Sequence, residues 1–444
     1  MAKRVVVLGA GVTGGAFVAA LRRLDPAAEI SVVENELVGG ECSYWACIPS
    51  KTLLRPLEVR ARARLAPGAA TSLGAVDVAA VFRWRDEQAG KDDTSQVAWL
   101  AGLGAELVRG AGEVAEPGLV RVNGRELPYD DLLLATGSLP VSPPVEGLDE
   151  LEHWGSREAT SANDVPETMI VVGGGAVGCE LAQLYCRLGT RVVLVQNGDH
   201  LLPRMDPEGA DILADALRDE GVELRFGAHA TRVSGGGTNP YRLELEEGAP
   251  IEADRLLVAT GRRPNLEGVD GEALGLKVER GGVRTDEHLR AADGVWAAGD
   301  VTGVALFTHV GKYQARVAAA NVVGHERPVN YSAIPAAVFT DPQVASVGDT
   351  SGEGAVVSRW KLETVSRAGT FQRPKRPGLV KLYADPEQKV LVGATAVGPE
   401  AGEWLGQLTL AIRARVPVDV LRDTIQPFPT FSEAIFFAAR ELDL

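Results

Sequence analysis

The sequence predicts an α/β protein in which two similar βαβ segments precede a smaller C-terminal α+β domain. Two observations carry this prediction. The stretches that begin at Arg4 and Thr168 each contain an apolar strand pattern, a glycine turn, an Ala/Leu-rich helix pattern and a second strand pattern. From about residue 331 onward, shorter strand patterns with Pro and Gly breaks are followed by helical patterns at 402–415 and 432–441. A chain of 444 residues is long enough for two or three domains.

The composition is that of a globular protein and argues against a nucleic-acid partner. Apolar residues make up 45% of the chain and charged residues 24%, and the formal charge of −15 disfavours a broad nucleic-acid surface. No stretch reaches the apolar length of a membrane span, and the strand pattern in the first residues leaves no room for a signal peptide. Four cysteines are too few for a disulfide scaffold, so we expect a reducing, cytoplasmic environment.

The first glycine turn has the spacing of a dinucleotide-binding fingerprint. Gly9, Gly11 and Gly14 form G-x-G-x-x-G directly after an apolar strand pattern. In such a turn the first glycine makes the tight bend, the second lets the backbone approach a pyrophosphate, and the third lets helix and strand pack closely. Glu34 ends the next strand about twenty residues on, where a carboxylate can accept hydrogen bonds from ribose hydroxyls.

The second βαβ segment repeats the fingerprint with Gly173, Gly175 and Gly178. Two complete strand–turn–helix–strand contexts predict two Rossmann-like dinucleotide-binding domains, in which one nucleotide passes electrons to the other. Gln196 stands near the position where NAD enzymes commonly carry an acidic residue, so the choice between NADH and NADPH stays open. Two basic residues downstream are weak candidates to bind a 2′-phosphate: His200 and Arg204.

The stretch GGECSYWACIPSK, residues 39–51, places two thiols five positions apart. A disulfide between Cys42 and Cys47 would close a very small loop and add little stability, so the pair indicates redox or metal chemistry. In a regular helix, residues five apart have Cα atoms roughly 8.7 Å apart, whereas a disulfide needs about 4.4–6.8 Å. A bridged pair would therefore require that residues 42–46 are not a regular helix.

Several motifs spread along the whole chain are shared with one family. They are the first glycine fingerprint, C-x4-C-I-P-S-K, the Ala-Thr-Gly sequences at 135–137 and 259–261, VWAAGDVTG, and VFTDPQVASVG. By these motifs the chain resembles the FAD-dependent pyridine nucleotide–disulfide oxidoreductases. The resemblance implies FAD and NAD(P)H as cofactors, and a homodimer formed through the C-terminal domain. It also implies three domains: FAD-binding at 1–145 and 283–328, NAD(P)-binding at 146–282, and a dimerisation (interface) domain at 329–444.

The resemblance also implies roles for individual residues. Cys47 would face the flavin, and Cys42 would be the interchange thiol that faces the substrate. Lys51 and Glu180 would form an ion pair beside the flavin ring, and Asp300 would contact the flavin ribityl chain. Three residues of the Ala-Thr-Gly motifs would contribute to the nucleotide sites: Thr136, Gly137 and Gly261. No metal site is expected.

The C-terminal motif departs from that of the disulfide-reducing relatives. Those relatives carry H-x-H-P-T-x-S-E, in which the second histidine, oriented by the glutamate, is the acid/base for the dithiol partner. Here residues 426–433 read QPFPTFSE, so Phe428 replaces that histidine while Glu433 is retained. Loss of a general acid/base commonly costs about 10²–10⁴ in rate, so ordinary lipoamide or glutathione turnover should be poor. The Phe428–Pro429 bond remains compatible with the cis peptide of the family motif.

Other residues near the thiols have two interpretations. Tyr44 and Trp45 stand where relatives usually have smaller residues, and they either pack in the core or offer a stacking surface to a planar acceptor. His309 is a candidate substitute base, although its segment matches a family stretch near the flavin. Mercuric reductases deliver the metal with a vicinal cysteine pair at the C-terminus. This chain has no thiol after Cys186, so efficient mercury handling is not expected.

These observations lead to one main hypothesis and two alternatives. The main hypothesis is an NAD(P)H-dependent FAD oxidoreductase that passes electrons via flavin to the Cys42–Cys47 disulfide and on to a non-standard acceptor, such as a disulfide with a low-pKa leaving thiol. The first alternative is a quinone or other xenobiotic reductase that works directly from the flavin, with the disulfide a bystander. The second is a catalytically retired flavoprotein, against which the intact fingerprints and thiol pair argue.

Overall fold

The computed structural model describes residues 2–69, 73–279 and 281–444. The chain divides into two compact units, each assembled from three stretches of sequence. Unit 1 comprises Met1–Pro49, Arg85–Val141 and Gly261–Asn330, and unit 2 comprises Ser50–Trp84, Ser142–Thr260 and Tyr331–Leu444. The three-domain division made from the sequence stays a prediction. The residues 1, 70–72 and 280 that it includes lie outside the described part of the chain.

Unit 1 is built around a six-stranded sheet. Its strands lie in the order Arg290–Ala292, Val295–Ala297, Asp131–Leu134, Arg4–Leu8, Glu29–Glu34 and Ala105–Arg109. All neighbouring pairs are parallel except the first, which is antiparallel. The smaller sheets comprise Gly112–Glu116, Leu119–Val122 and Arg125–Pro128; Ser138–Pro140 with Arg262–Pro264; and Val278–Glu279 with Gly282–Val283. The helices of unit 1 include Val12–Leu24, Gly40–Tyr44, Thr94–Gly102 and Thr308–Val322, with a 3-10 turn at Asp300–Thr302.

The described residues of unit 2 form three sheets. A parallel sheet has the order Glu223–Arg225, Arg191–Val195, Thr168–Val172, Arg255–Val258. One antiparallel sheet has three strands in the order Ala230–Gly236, Asn239–Leu245, Ile251–Ala253. The other has five strands in the order Pro335–Val338, Gln343–Gly348, Val390–Gly398, Leu379–Asp385, Val356–Lys361. The helices are Ser156–Ser161, Ala176–Leu188, Pro207–Glu220, Ser366–Phe371, Ala401–Arg413, Val418–Asp423 and Glu433–Arg440, with 3-10 turns at Leu148–Glu150 and Leu362–Thr364.

Two further helices contain boundaries between the units. Cys47–Leu65 begins in unit 1 and continues in unit 2, and Val78–Ala89 begins in unit 2 and continues in unit 1. Within residues 2–69, 73–279 and 281–444, no helix combines the length and the apolar character needed to cross a membrane.

The central strand of each parallel sheet is a continuous apolar run. In Arg4–Leu8 every residue after the first is buried, and in Thr168–Val172 every residue after the first is likewise buried. A strand covered on both faces shows such a run rather than an alternation, because both sides of its pleat lie in the core. The two predicted βαβ segments are confirmed as Arg4–Leu8, Val12–Leu24, Glu29–Glu34 and as Thr168–Val172, Ala176–Leu188, Arg191–Val195.

The strands that precede the two Ala-Thr-Gly motifs occupy equivalent places. Asp131–Leu134 pairs in parallel with Arg4–Leu8, and Arg255–Val258 pairs in parallel with Thr168–Val172. Each motif therefore begins at the carboxyl end of a strand next to a glycine turn. Open α/β sheets bind their ligands at this edge.

The C-terminal part of unit 2 has the predicted α+β character. The sequence predicts helices at 402–415 and 432–441, and the structure has Ala401–Arg413 and Glu433–Arg440. The buried residues of both helices, Leu405, Leu408, Ile435 and Ala438 among them, join one hydrophobic cluster with the five-stranded antiparallel sheet. The mixed α/β fold class is thus confirmed.

Close packing at the first glycine turn sets where the following helix begins. A Cβ atom at Gly9 would lie 2.4 Å from the carbonyl oxygen of Ala135, and the φ of +103° at Gly9 also disfavours any other residue. A Cβ atom at Gly14 would lie 2.0 Å from the carbonyl oxygen of Gly9. The helix can therefore start directly against the strand only while both positions are glycine.

The second glycine turn repeats these contacts. Gly173 has a φ of +111°, and a Cβ atom there would lie 2.5 Å from the carbonyl oxygen of Ala259. A Cβ atom at Gly178 would lie 1.9 Å from the carbonyl oxygen of Gly173. In both turns the alanine belongs to an Ala-Thr-Gly motif, so the fingerprint and the motif contact each other in the same way in the two segments.

Gly178→Ala should lower the free energy of unfolding by about 1–3 kcal/mol, because the added methyl group overlaps a backbone oxygen that has no room to move. The matched control is Gly175→Ala in the same turn. Gly175 has an ordinary φ of −75°, and a Cβ atom at this position would have no neighbour within 4 Å. Chemical denaturation of both variants tests the argument, and an equal loss of stability in the two would contradict it.

Candidate active site

The backbone between the two close thiols is not a regular helix. The short helix Gly40–Tyr44 ends at Trp45, whose φ of −135° and ψ of −10° leave the helical region, and a new helix begins at Cys47. This interruption meets the condition that the sequence set for a bridge between Cys42 and Cys47. The helix becomes regular at Cys47, as the resemblance implies.

The two thiols contact each other and the start of a second helix. All four cysteines are described, and each is unbridged. The thiols of Cys42 and Cys47 hydrogen-bond to one another. The Cys47 Sγ lies 3.4 Å from Thr308 Oγ1, and Thr308 is the first residue of the helix Thr308–Val322. Cys47 therefore lies at the N-terminus of its own helix and beside that of another, and both positions favour a thiolate.

The surroundings of Cys42 keep its thiol protonated. Its hydrogen bond with Cys47 and its burial raise the pKa of the Cys42 thiol far above the ordinary value. The Thr308 hydroxyl and the positive charge of Lys312 act in the opposite direction, and they are the weaker influences on this pKa. At neutral pH, Cys42 is therefore a poor nucleophile until its proton is removed.

An ion pair in unit 2 involves two of the predicted catalytic residues. Lys51 Nζ lies 2.7 Å from Glu180 Oε2, and the other carboxylate oxygen of Glu180 accepts a hydrogen bond of 2.9 Å from the backbone N–H of Phe339. The ammonium group of Lys51 also lies 4.8 Å from the centroid of the Phe339 ring. These contacts hold both side chains in place. The role of the pair beside a flavin stays a prediction.

The first glycine turn presents a carboxylate and an open helix N-terminus. Glu34 is buried at the end of its strand, and its two oxygens accept hydrogen bonds of 2.8 Å each from the backbone N–H groups of Ala10 and Glu36. Burial raises the pKa of Glu34. Gly11 precedes the helix Val12–Leu24, and no atom of the chain lies within 4 Å of a Cβ atom built there. The fold does not require glycine at this position, so the space suits a ligand that approaches the backbone.

The predicted ribityl contact, Asp300, belongs to a polar chain in unit 1. Its Oδ2 accepts a hydrogen bond of 2.6 Å from Ser138 Oγ, and Ser138 Oγ in turn accepts one of 2.8 Å from Arg262 Nε. The Arg262 guanidinium also lies 3.5 Å from Glu41, the residue before Cys42. Burial raises the pKa of Asp300. The chain of contacts connects the thiol segment with the carboxylate expected at the flavin.

The three residues of the Ala-Thr-Gly motifs have different surroundings. Thr136 Oγ1 donates a hydrogen bond of 2.5 Å to the backbone carbonyl of Asn265, so its hydroxyl stabilises the fold. Gly137 and Gly261 have φ angles of +75° and +132°, and both have open space where a Cβ atom would lie. The glycines therefore leave room for a ligand, whereas the hydroxyl of Thr136 is already used.

The second glycine turn has the same open position but a neutral partner. Gly175 precedes the helix Ala176–Leu188, and no atom lies within 4 Å of a Cβ atom built there. The backbone N–H of Gly174 donates a hydrogen bond of 2.9 Å to Gln196 Oε1. Gln196 thus stands at the strand end, as the sequence indicated, with an amide in place of a carboxylate.

The C-terminal motif keeps its backbone without a titratable group at its centre. The Phe428–Pro429 peptide is cis, and the Phe428 side chain is 73% exposed. Glu433 is half-buried at the start of its helix, where its Oε2 accepts a hydrogen bond of 3.3 Å from the backbone N–H of Thr430. Glu433 is therefore held near the position at which relatives carry histidine.

The aromatic residues between the thiols pack in the core. Tyr44 and Trp45 are only 4% and 8% exposed, and Tyr44 Oη donates a hydrogen bond of 2.9 Å to the carbonyl of Val38. The stacking-surface interpretation is therefore wrong for this pair, because neither ring is open to an acceptor. The ring of His309 stacks on Phe307 with centroids 5.2 Å apart, and its proposed role as a base stays a prediction.

Sequence reasoning missed three residues that contact the predicted site residues: Thr308, Arg262 and Ser138. Each is a sequence neighbour of a predicted feature: Thr308 directly precedes His309, and Ser138 and Arg262 each directly follow an Ala-Thr-Gly motif. The contacts themselves join positions more than 120 residues apart, and only the fold brings them together.

Cys47→Ala should accelerate alkylation of Cys42. The substitution removes the hydrogen bond that raises the pKa of Cys42 most, so the pKa should fall and the thiolate fraction at neutral pH should increase, by up to about tenfold for each unit. Thr308→Val should have the opposite effect, because the Thr308 hydroxyl lowers this pKa. Iodoacetamide labelling of the reduced protein, mapped to Cys42 by mass spectrometry, measures both rates.

Thr308→Ser retains the hydroxyl group and serves as the control, with an expected rate close to that of the wild type. If Cys47→Ala and Thr308→Val change the rate in the same direction, the described hydrogen-bond arrangement is wrong.

Curated relatives and solved structures match nearly the whole chain. The mercuric reductase of Staphylococcus aureus is 32% identical over 453 residues, which cover 99% of this chain and 82% of that protein. The dihydrolipoyl dehydrogenase of Thermus scotoductus is 34% identical over 453 residues, covering 99% of this chain and 97% of that protein. The Cu(II) complex of the HOCl-induced flavoprotein disulfide reductase RclA from Escherichia coli is 25% identical, with a TM-score of 0.85 and coverage of 97% and 98%.

Two family descriptions match consecutive parts of the sequence. "Pyridine nucleotide-disulphide oxidoreductase" matches residues 3–322, and the dimerisation domain of the same family, which supports a homodimer, matches residues 334–439. Members of the family bind FAD and use NAD(P)H, so the predicted enzyme class and cofactors are confirmed. The open positions at Gly11 and Gly175 and the carboxylate of Glu34 fit bound dinucleotides. The chain therefore belongs to the pyridine nucleotide–disulphide oxidoreductase family.

Proposed function

We propose that this enzyme delivers electrons from NAD(P)H through the Cys42–Cys47 pair to an acceptor that requires no proton from the protein. The observation that carries the proposal is the hydrogen-bonded thiol pair at two helix N-termini, in a chain whose C-terminal motif has Phe428 in place of a histidine. When bound, FAD supplies the two-electron step that connects the reduced nicotinamide with the thiol pair. The thiols would then perform the exchange with the acceptor.

Residues of the two glycine turns would hold the cofactors. Gly11 and the helix that follows it would receive the FAD pyrophosphate, and Glu34 would accept hydrogen bonds from its ribose. Asp300 would contact the flavin side chain, and Gly175 would receive the pyrophosphate of NAD(P)H. Lys51, held in place by Glu180, would direct its ammonium group toward the flavin.

A disulfide with acidic thiol groups is the acceptor that suits these residues best. The Cys42 thiolate would attack one acceptor sulfur, the acceptor S–S bond would break, and Cys47 would then displace the second thiol as the Cys42–Cys47 disulfide forms. The protons of both cysteines pass to water, and the two acceptor sulfurs leave as thiolates, so atoms and charges balance. A leaving thiol of low pKa departs as a thiolate, so the absence of a histidine at position 428 matters less.

A copper ion is a second candidate acceptor. The supporting observation is the similarity to a disulfide reductase whose structure is a Cu(II) complex. Two thiols would reduce two Cu(II) ions to Cu(I), with formation of one disulfide and release of two protons to water, and no acid is needed at the leaving group. The described residues contain no cluster of three or more His, Cys, Asp or Glu side chains that could hold a metal, so copper would be a transient substrate rather than a resident ion.

We also propose that the enzyme works in the cytoplasm. Four cysteines in 444 residues suit a reducing cytoplasm, where thiols persist. We further propose that the homodimer forms through the C-terminal domain, to which the dimerisation-domain description extends. Direct transfer from the flavin to a quinone receives less support, because it assigns no task to the hydrogen-bonded thiols.

Cys42→Ser should reduce activity toward an aromatic disulfide such as 5,5′-dithiobis(2-nitrobenzoate) by at least about 100-fold, because the attacking thiol is gone. Anaerobic titration should show about four electrons accepted per FAD in the wild type and about two in the variant, since the disulfide no longer contributes. Cu(II) and a benzoquinone, assayed with both proteins, separate the acceptor classes. Activity toward the disulfide and Cu(II) that survives the substitution would overturn the proposal in favour of direct flavin transfer.

Phe428→His should raise turnover with dihydrolipoamide by about 10-fold or more, because it restores a group that can exchange a proton near neutral pH beside Glu433. The gain should depend on pH through one ionisation near the ordinary histidine pKa of about 6.5. Phe428→Gln is polar but does not titrate in this range, so it should leave turnover near the wild-type level. An equal gain in both variants would show that polarity rather than proton transfer limits the reaction.

A further inference from the structure

We infer that Gln196 makes the second nucleotide site select NADPH over NADH. The inference rests on the proposed function, in which this site receives the reduced nicotinamide nucleotide. It goes further because it names the reductant and the residue that selects it. The chain contains two equivalent glycine turns, one with a carboxylate at the strand end and one with an amide.

The first turn defines the position of the carboxylate. The backbone N–H of Gly9 donates a hydrogen bond of 2.9 Å to the carbonyl of Val33, and the backbone N–H of Ala10 donates one of 2.8 Å to Glu34 Oε2. The backbone N–H of the residue after the first glycine is therefore bound by the side chain at the end of the second strand. Glu34 can still accept hydrogen bonds, because each carboxylate oxygen has more than one lone pair.

The second turn places Gln196 in the equivalent position. The backbone N–H of Gly173 donates a hydrogen bond of 2.8 Å to the carbonyl of Val195, and that of Gly174 donates one of 2.9 Å to Gln196 Oε1. Both hydrogen bonds match those of the first turn residue by residue. Gln196 is 5% exposed and is therefore held in this place by its burial as well as by its hydrogen bond.

Where the first turn offers a ribose a hydrogen-bond acceptor, the amide of the second turn offers it a donor. In Gln196 the acceptor oxygen is engaged by the backbone, and the remaining group, Nε2, is a donor only. Among the residues that the structure describes, Nε2 has no hydrogen-bond partner. A 2′-hydroxyl favours an acceptor with negative charge, whereas a 2′-phosphate requires donors and is repelled by a carboxylate.

Gly198 has no side chain to cover the amide of Gln196. A Cβ atom at Gly198 would lie 3.0 Å from Gln196 Nε2, so the glycine keeps space open beside the amide. Arg204 is exposed in the same loop, and its guanidinium group makes no hydrogen bond or ion pair within the described residues. The carboxylate of Asp199 is 95% exposed and lies 3.6 Å from His200 Nε2, so its charge faces water and the imidazole. One loop therefore carries both a cation, Arg204, and an amide donor, Gln196 Nε2, that have no other hydrogen-bond partner among the described residues.

Direct binding to the FAD-loaded, full-length protein tests the inference without any turnover. Isothermal titration calorimetry would compare adenosine 2′,5′-bisphosphate with adenosine 5′-monophosphate, which differ by the 2′-phosphate alone. The wild type should bind the bisphosphate at least about 10-fold more tightly. Gln196→Glu should reverse the order of affinities, and Arg204→Gln should weaken only the bisphosphate.

Thermal unfolding of Gln196→Glu establishes whether this variant is folded. If it is not folded, Arg204→Gln still tests the inference, because this substitution alters an exposed side chain. Equal affinities of the wild type for the two ligands, tighter binding of the monophosphate, or no binding of either overturns the inference. The proposed function fails separately, if acceptor reduction survives Cys42→Ser while the bisphosphate preference remains.

Discussion

The contact between the third glycine of each fingerprint and the carbonyl oxygen of the first is the constraint on which both nucleotide sites depend. With Cβ positions 2.0 Å and 1.9 Å from those oxygens, Gly14 and Gly178 let a helix begin directly at the end of a parallel strand. This start directs backbone N–H groups toward the open space beside the second glycine. The same turn orients a polar side chain at the next strand end, Glu34 in one segment and Gln196 in the other.

The chemical environment of the thiol pair depends on the N-termini of two helices that lie beside Cys47. Cys47 begins one helix and contacts Thr308, which begins another, and the positive end of a helix dipole favours negative charge. Cys42 is affected in the opposite sense, because its hydrogen bond with Cys47 and its burial keep its proton in place. One sulfur is thus suited to hold charge, and the other to attack only when the acceptor is reactive.

Sequence patterns predicted the parts of this enzyme that depend on local regularity. Glycine spacing and continuous apolar runs identified both βαβ segments, and the five-residue spacing of the cysteines showed that a bridge between them would require an interrupted helix, which the structure has before Cys47. Contacts between distant segments could not be predicted in this way, because no local pattern reports that Thr308 meets Cys47 or that Arg262 reaches Glu41. The burial of Trp45 could not be predicted from the sequence either, because an aromatic residue between two thiols is compatible with either a core or a surface position.

Two positions have a side chain without an ionisable group where related sites commonly have one. Phe428 removes a proton-transfer group from the C-terminal motif, and Gln196 removes a negative charge from the second nucleotide site. Neither disturbs the backbone around it, since the motif keeps its cis peptide and the glycine turn keeps its hydrogen bonds. The proposed electron transfer uses the thiols and the turns, which are retained, whereas the proton delivery of the relatives uses a histidine, which is not. This difference is the reason for proposing an acceptor that takes electrons without a proton from the protein.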